Sequence, residues 1–324
     1  MKNITIPLLS VLILLLSACQ EAKKADDKPT VAAPKKERVA VPEFNADSAY
    51  AWVATQVAFG PRSPGSKGHQ VCGDYLVQEL LRFTPHVQEQ NAPIRMHDGK
   101  SFKLRNIIAS FNPDQDKRIL LAAHWDTRPR AENDPLRVDE AIDGANDGAS
   151  GVGVLLEIAR NLALQAPKAG IDIIFFDLED YGISEVSDSY CMGSQYWAAN
   201  PHEPGYRAEY GILLDMVGGK GARFFMEGFS MYYAPQVVRK VWNAGYELGF
   251  SDYFKFQQSG PITDDHYYVN RIAGIPMIDI IEYDPNTETG FGKYWHTHDD
   301  NMDVIDRNTL KAVGQTVLWV IYQE

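Results

Sequence analysis

The sequence predicts a three-layer α/β sandwich, a central mixed, mostly parallel sheet flanked by helices, on three observations. Short apolar runs rich in Ile, Leu and Phe recur along the chain, and several stop abruptly at carboxylates or imidazoles. Between them lie longer stretches whose apolar residues repeat with helical spacing. The two kinds alternate, which is the pattern of helices packed over a sheet buried on both faces.

The 324 residues are 45% hydrophobic and 23% charged, ample for a substantial core. A net charge of -12 with no cluster of Lys and Arg argues against a nucleic-acid partner. Residues 1–19 read as an export signal: Lys2 is the positive start, Ile4 to Leu16 the apolar centre, and Ser17-Ala18-Cys19 resembles a bacterial lipoprotein box. Cys19 is then the lipidated first residue of a membrane-anchored protein facing the periplasm. Residues 20–43, rich in Lys, Ala, Asp and Pro, read as a flexible tether. That leaves 44–324 as a single α/β domain, expected to be a monomer. Its thiols, Cys72 and Cys191, are free to pair or to stay apart.

In order, Ala49, Trp52, Val53, Val57 and Phe59 share a helical face, with Asp47 or Ser48 as cap and Gly60-Pro61 as stop. A second helix follows Gly65-Ser66, with Val71, Tyr75, Leu76, Leu80 and Leu81 inward and His69 as a surface or capping group. Val87–Ile94 and Asn106–Phe111 are strand-like, separated by the turn His97-Asp98-Gly99-Lys100. Arg118–Ala123 is a strand that delivers His124-Trp125-Asp126. The glycine-rich stretch Asp143–Gly151 is a loop before a helix over Val152–Leu164. Ile171–Asp177 is a buried strand ending in Asp177, Glu179 and Asp180. Tyr210–Met216 is another, ending in Asp215. A helix over Tyr232–Leu248, a strand over Gly274–Ile281 with Asp279 inside it, and a helix over Asn308–Tyr322 complete the chain.

The polar groups at these strand ends and in the loops after them are His124, Asp126, Asp147, Glu179, Asp180, Asp215, Asp264, Asp265, His266 and His296. Imidazole with carboxylate and no cysteine in the same motifs is the donor mix of a hydrolytic zinc site, not a structural one. Ligands at carboxyl ends of parallel strands also sit where open α/β sheets bind their substrates.

The ordered motifs A-H-W-D, D-G-A-N-D-G-A-S-G, F-F-D-L-E-D, L-L-D, D-D-H and W-H-T-x-D-D-N resemble those of the zinc aminopeptidase clan. From about Phe44 onward the chain is similar to its glutaminyl-peptide cyclotransferase branch, the animal-type glutaminyl cyclases and their bacterial relatives. The resemblance implies a zinc aminopeptidase-like fold and one Zn2+ per chain held by Asp147, Asp180 and His296. It implies Glu179 as general acid/base and Asp264 as the carboxylate that receives the reacting amine. Asp215, His124 and Asp279 would form an acidic network beside them, with Trp295 as a pocket wall and Tyr190 in place of a pocket tryptophan. Two departures stand out. Asp180 replaces the Glu of animal members, and Asp279 replaces a His, so Asp215, Asp264 and Asp279 are expected to share protons.

The implied reaction attacks the γ-amide of an N-terminal glutamine with its own α-amine, so the substrate brings its nucleophile. The protein must supply a Lewis acid and a proton carrier. The partners implied are peptides and proteins beginning with Gln. A two-zinc aminopeptidase, its second metal on His124, Asp147 and Asp215, is the rival within the same fold. A peptide-binding lipoprotein without catalysis is the rival from another class.

Overall fold

A computed structural model describes residues 39–324, and the predicted export signal, Cys19 and residues 20–38 of the predicted tether lie outside the described residues. Residues 39–43 are tied to the domain: Gln323, Gln165 and Gln315 donate side-chain hydrogen bonds to the carbonyls of Val39, Ala40 and Pro42.

The elements are α1 (Ala46–Ala58), α2 (Lys67–Leu81), β1 (Val87–Arg95), β2 (Ser101–Phe111), β3 (Arg118–His124), α3 (Ala149–Leu164), β4 (Gly170–Phe176), α4 (Met192–Ala199) and β5 (Tyr210–Asp215). They continue as β6 (Phe224–Met226), α5 (Gly228–Tyr233), α6 (Pro235–Glu247), β7 (Phe254–Gln258), α7 (Asp265–Tyr268), β8 (Met277–Ile281) and α8 (Arg307–Tyr322). Six strands form one sheet in the order β1-β2-β4-β3-β5-β8, and β6 and β7 pair separately. The pairs β4/β3, β3/β5 and β5/β8 are parallel, whereas β1/β2 and β2/β4 are antiparallel. The mixed, mostly parallel sheet is therefore as the sequence predicts.

Strand side chains alternate between two cores. Ile119, Leu121, Ile171, Ile173, Ile212 and Leu214 pack on one face beneath α1, α3 and α8. Leu120, Ala122, Ile174, Phe176 and Leu213 face the other way, against Trp197 of α4 and Val269. Both faces are covered, which completes the three layers. Gly151 brings α3 close to the sheet: a Cβ there would lie 2.1 Å from the Leu214 carbonyl oxygen.

Four local expectations are corrected. Helix α1 is capped by Asn45, whose side chain accepts from the Ser48 amide, and not by Asp47 or Ser48. Val71 and Leu81 of α2 are exposed, because only one side of that helix meets the sheet. The predicted helix over Tyr232–Leu248 is two helices, since Pro235 cannot donate to the turn before it and starts α6 instead. His69 is buried, its Nε2 2.7 Å from Asp177 Oδ1 and its ring stacked on Trp125 at 4.3 Å. Cys72 and Cys191 are buried and unpaired.

Candidate active site and metal centre

Strand β3 sends its connection to one side, to β4, while its neighbour β5 sends its own to the other, to β8. A crevice opens where such connections diverge. There β3 presents His124, β5 presents Asp215, and the chain beyond β4 turns through a left-handed Leu178 (φ 56°) to deliver Glu179 and Asp180. Asp126 grips that turn, its two carboxylate oxygens accepting from the Glu179 and Asp180 amides at 3.0 and 3.2 Å. The glycine-rich loop before α3 supplies Asp147. Asp300 holds this loop, accepting from the Asn146 and Asp147 amides at 2.7 and 3.1 Å. Gly148, at φ 95°, completes the turn, where a Cβ would come within 2.6 Å of the Asp126 carbonyl oxygen.

Asp147, Asp180 and His296 each offer a donor atom, and the three atoms lie within 4.8 Å of one another. His296 Nε2 is 3.6 Å from Asp147 Oδ2 and 3.5 Å from Asp180 Oδ1. Its Nδ1 lies 2.9 Å from Glu132 Oε1. Burial raises the Glu132 carboxyl, but hydrogen bonds from His296 and Arg128 outweigh that and hold it well below the carboxylate range. An ionised carboxylate only accepts, so Nδ1 carries a hydrogen. Burial lowers the His296 pKa, but the charges of Asp180 and Asp147 and the bond to Glu132 outweigh it and push the ring up to about 9, so Nε2 also holds a proton that a bound cation would displace. Asp180 Oδ2 is buried without a partner. An orphan carboxylate oxygen, an imidazole nitrogen and a second carboxylate converging on one point fit a divalent ion of the zinc type.

Around this triad the groups crowd. His124 Nε2 is 3.1 Å from both Asp147 Oδ1 and Asp215 Oδ1. Burial pushes the Glu179 carboxyl well above its usual range, with Asp180, Asp264 and Asp265 adding like charge against the pull of His124. Burial likewise raises Asp215 to about 7, the hydrogen bond from His124 opposing. Asp264 and Asp279 are raised for the same first reason, Asp279 also by the charges of Asp264 and Asp215. Burial and mutual like charge disfavour ionising all three aspartates together. A cation on the triad draws the nearest of these groups back down.

A cavity of about 500 Å³ opens over the triad, lined by Glu179, Asp215, Asp264, Tyr190 and Trp295 among others. Trp295 stacks on the His296 ring at 3.7 Å. Tyr190 lies under the Arg128 guanidinium, 5.3 Å from its ring centre. Asp279 does not reach the cavity but sits behind Asp264, within β8.

Sequence reasoning missed four contributors. Arg128 donates to the Asp180 and Gly182 carbonyls at 2.7 and 2.8 Å and also binds Glu132. Glu132 aligns His296, and Asp300 shapes the Asp147 loop. The Cys191 thiol reaches Glu179 Oε1 at 3.2 Å. Only Asp300 left a trace, inside the quoted W-H-T-x-D-D-N motif.

A parallel α/β sheet whose switch point gathers one imidazole, two carboxylates and a third carboxylate beside them defines a metal-centred enzyme class. The chain belongs to peptidase family M28, whose model matches residues 106–321. Among solved structures it is 57% identical to one described as a zinc-dependent exopeptidase from Parabacteroides distasonis, covering 88% of this chain and 100% of that one with a TM-score of 0.87. It is 53% identical to Tannerella forsythia glutaminyl cyclase over 87% of this chain and 100% of that one, with a TM-score of 0.86. Bos taurus glutaminyl-peptide cyclotransferase is 27% identical over 78% of this chain and 76% of its own length.

Proposed function

We propose that this chain is a glutaminyl-peptide cyclotransferase that converts N-terminal glutamine of peptides and proteins to pyroglutamate and releases ammonia. The observation that carries the reading is one cavity in which Glu179 and Asp264 flank the Asp147, Asp180 and His296 donor set. Likeness to bacterial glutaminyl cyclases over nearly the whole domain supports it. One zinc held by Asp147, Asp180 and His296 would supply a Lewis acid for the γ-amide oxygen of the substrate. Asp264 accepts a hydrogen bond from the α-amine and turns its lone pair toward the γ-carbon. As the new nitrogen–carbon bond forms, Glu179 takes a proton from the amine. Glu179 then returns it to the γ-nitrogen, the old carbon–nitrogen bond breaks, and ammonia leaves. Trp295 walls one side of the cavity and limits water, which would otherwise hydrolyse the amide.

A second reading, the two-zinc aminopeptidase, is favoured by one observation: donor atoms of His124, Asp147 and Asp215 also converge within 4.8 Å. Products separate the two. A Gln-initiated dipeptide should yield ammonia and a pyroglutamyl peptide, and release of free amino acid would overturn the cyclase reading. A complex that forms with no turnover would leave only the peptide-binding lipoprotein.

We also propose that the chain is exported and anchored through Cys19, facing the periplasm, with 20–38 as part of the spacer and the catalytic domain acting as a monomer. Lys2, the apolar run Ile4 to Leu16 and Ser17-Ala18-Cys19 support the anchor. Palmitate should label the wild type in its native host and fail to label Cys19→Ser. An unlabelled wild type ends that reading.

A further inference from the structure

The carboxylate-backed histidine that builds the first site occurs a second time in this molecule, 30 positions earlier in the chain (296 against 266). His266 Nε2 lies 3.0 Å from Glu227 Oε2. Glu227 is itself pinned, accepting from the amides of Phe229, Ser230 and Ile262 at 2.8, 2.6 and 2.7 Å. These donors and His266 outweigh burial and bring the Glu227 carboxyl down to about 2. An ionised Glu227 can only accept, so Nε2 carries a hydrogen and Nδ1 is the ring nitrogen left to face a ligand.

That Nδ1 has no hydrogen-bond partner although His266 is wholly buried. It points to Asp279 Oδ2 at 3.7 Å, close to the 3.5 and 3.6 Å spacings in the first site. Both oxygens of Asp279 and Oδ2 of Asp264 are likewise buried, and the side chain each carboxyl can meet is the other's, through a shared proton. The donor atoms of Asp264, His266 and Asp279 converge within 4.8 Å. A buried imidazole nitrogen with no partner, beside two carboxyl groups that meet each other only by sharing a proton, is costly to leave unmet.

We propose that Asp264, His266 and Asp279 form a second divalent-cation site, of the same nitrogen and oxygen donor chemistry as the first and suited to zinc. Burial, followed by the charges of Asp264, Asp215 and Glu227, pushes the Asp279 carboxyl well up, a penalty that a cation would remove. Entry is from the cavity, which Asp264 lines. The site fills more weakly than the first, because Asp264 also spends Oδ1 on the Asp265 amide that begins α7. Under the cyclase reading a cation here and a substrate amine compete for Asp264, so excess zinc inhibits. That corollary rests on the reading, whereas the site itself does not.

The test counts bound zinc on the chelator-stripped full chain by equilibrium dialysis, with no substrate present. The wild type should exceed one equivalent. Asp279→Asn should lose one equivalent and keep the tight one, while His124→Gln should retain the extra equivalent. In the wild type the weaker equivalent should shift the His266 Nδ1 nitrogen resonance, a readout that needs no variant to fold. Saturation at one equivalent overturns the proposal, as does loss of the extra equivalent in His124→Gln with Asp279→Asn unaffected, which would assign it to His124, Asp147 and Asp215.

Discussion

Strand β4 carries a buried carboxylate near its amino end, Asp172, and delivers Glu179 and Asp180 beyond its carboxyl end, and the two ends are treated in opposite ways. Asp172 is fully met: Arg118 binds it through two nitrogens at 2.6 Å each, Ser110 donates at 2.6 Å and Tyr206 at 2.7 Å. At the other end Asp180 keeps a buried oxygen without a partner, and Asp264 and Asp279 meet each other only by sharing a proton. Burial costs a carboxylate its hydration in both places. One end answers that cost from within the protein. The other leaves room for something that arrives from outside, and this difference separates a structural acid from a functional one.

The comparison breaks most sharply at Glu179. Glu179→Gln should lower turnover of Gln-initiated peptides about 10²- to 10⁴-fold while zinc content by elemental analysis stays at the wild-type level. Retained turnover would mean that the crowded end does no proton transfer. At the satisfied end, Arg118→Met strands Asp172 and should cost about 3–5 kcal/mol of stability in denaturant unfolding, with turnover per folded molecule unchanged. Next comes Glu132→Ala, which frees the His296 ring and should weaken zinc about 10- to 100-fold in chelator competition. Asp265→Asn should do the opposite of Arg118→Met. Removing the charge of a buried acid that burial and Asp264 push well up, with Ser194 as its side-chain donor, should raise stability by about 1 kcal/mol, read from the denaturant midpoint.

The smallest effect is a titration beside Asp172. His202 accepts from the Trp197 indole at 3.1 Å and packs on Tyr206. Burial lowers its pKa, assisted by Arg118 and opposed by Asp172 and Glu203. A neutral ring favoured by the fold contributes stability above the unfolded pKa of about 6.5, and that contribution is lost as pH falls through it toward the folded value. Between pH 7 and 5.5 the loss should be about 1 kcal/mol or less, and a His202→Asn variant should show a flatter profile in thermal unfolding.

The layers were legible because strands buried on both faces are almost wholly apolar, as Ile171 to Phe176 are apart from Asp172. That Asp147, Asp180 and His296 converge was legible through the family resemblance of the motifs that carry them. Glu132 was not, since it lies in an irregular loop and its partner His296 is 164 positions away. His69 read as a surface group for the same reason, its partner Asp177 being 108 positions away. Asn45 was missed as a cap because Asp47 and Ser48 offer equally able oxygens two or three residues on. The break at Pro235 was written in the sequence and lost among the apolar residues around it.

Leu178, Met216 and His296 all have left-handed backbones, at φ 56°, 48° and 55°, and each is or adjoins a group of the site. Such a conformation costs a bulky residue about 1–3 kcal/mol and persists only where its surroundings impose it. A peptide cut from any of these turns would relax and scatter its donors. An ion held by Asp147, Asp180 and His296 would therefore find its full set of donors only once residue 296 has docked, so its uptake would report that the domain has assembled.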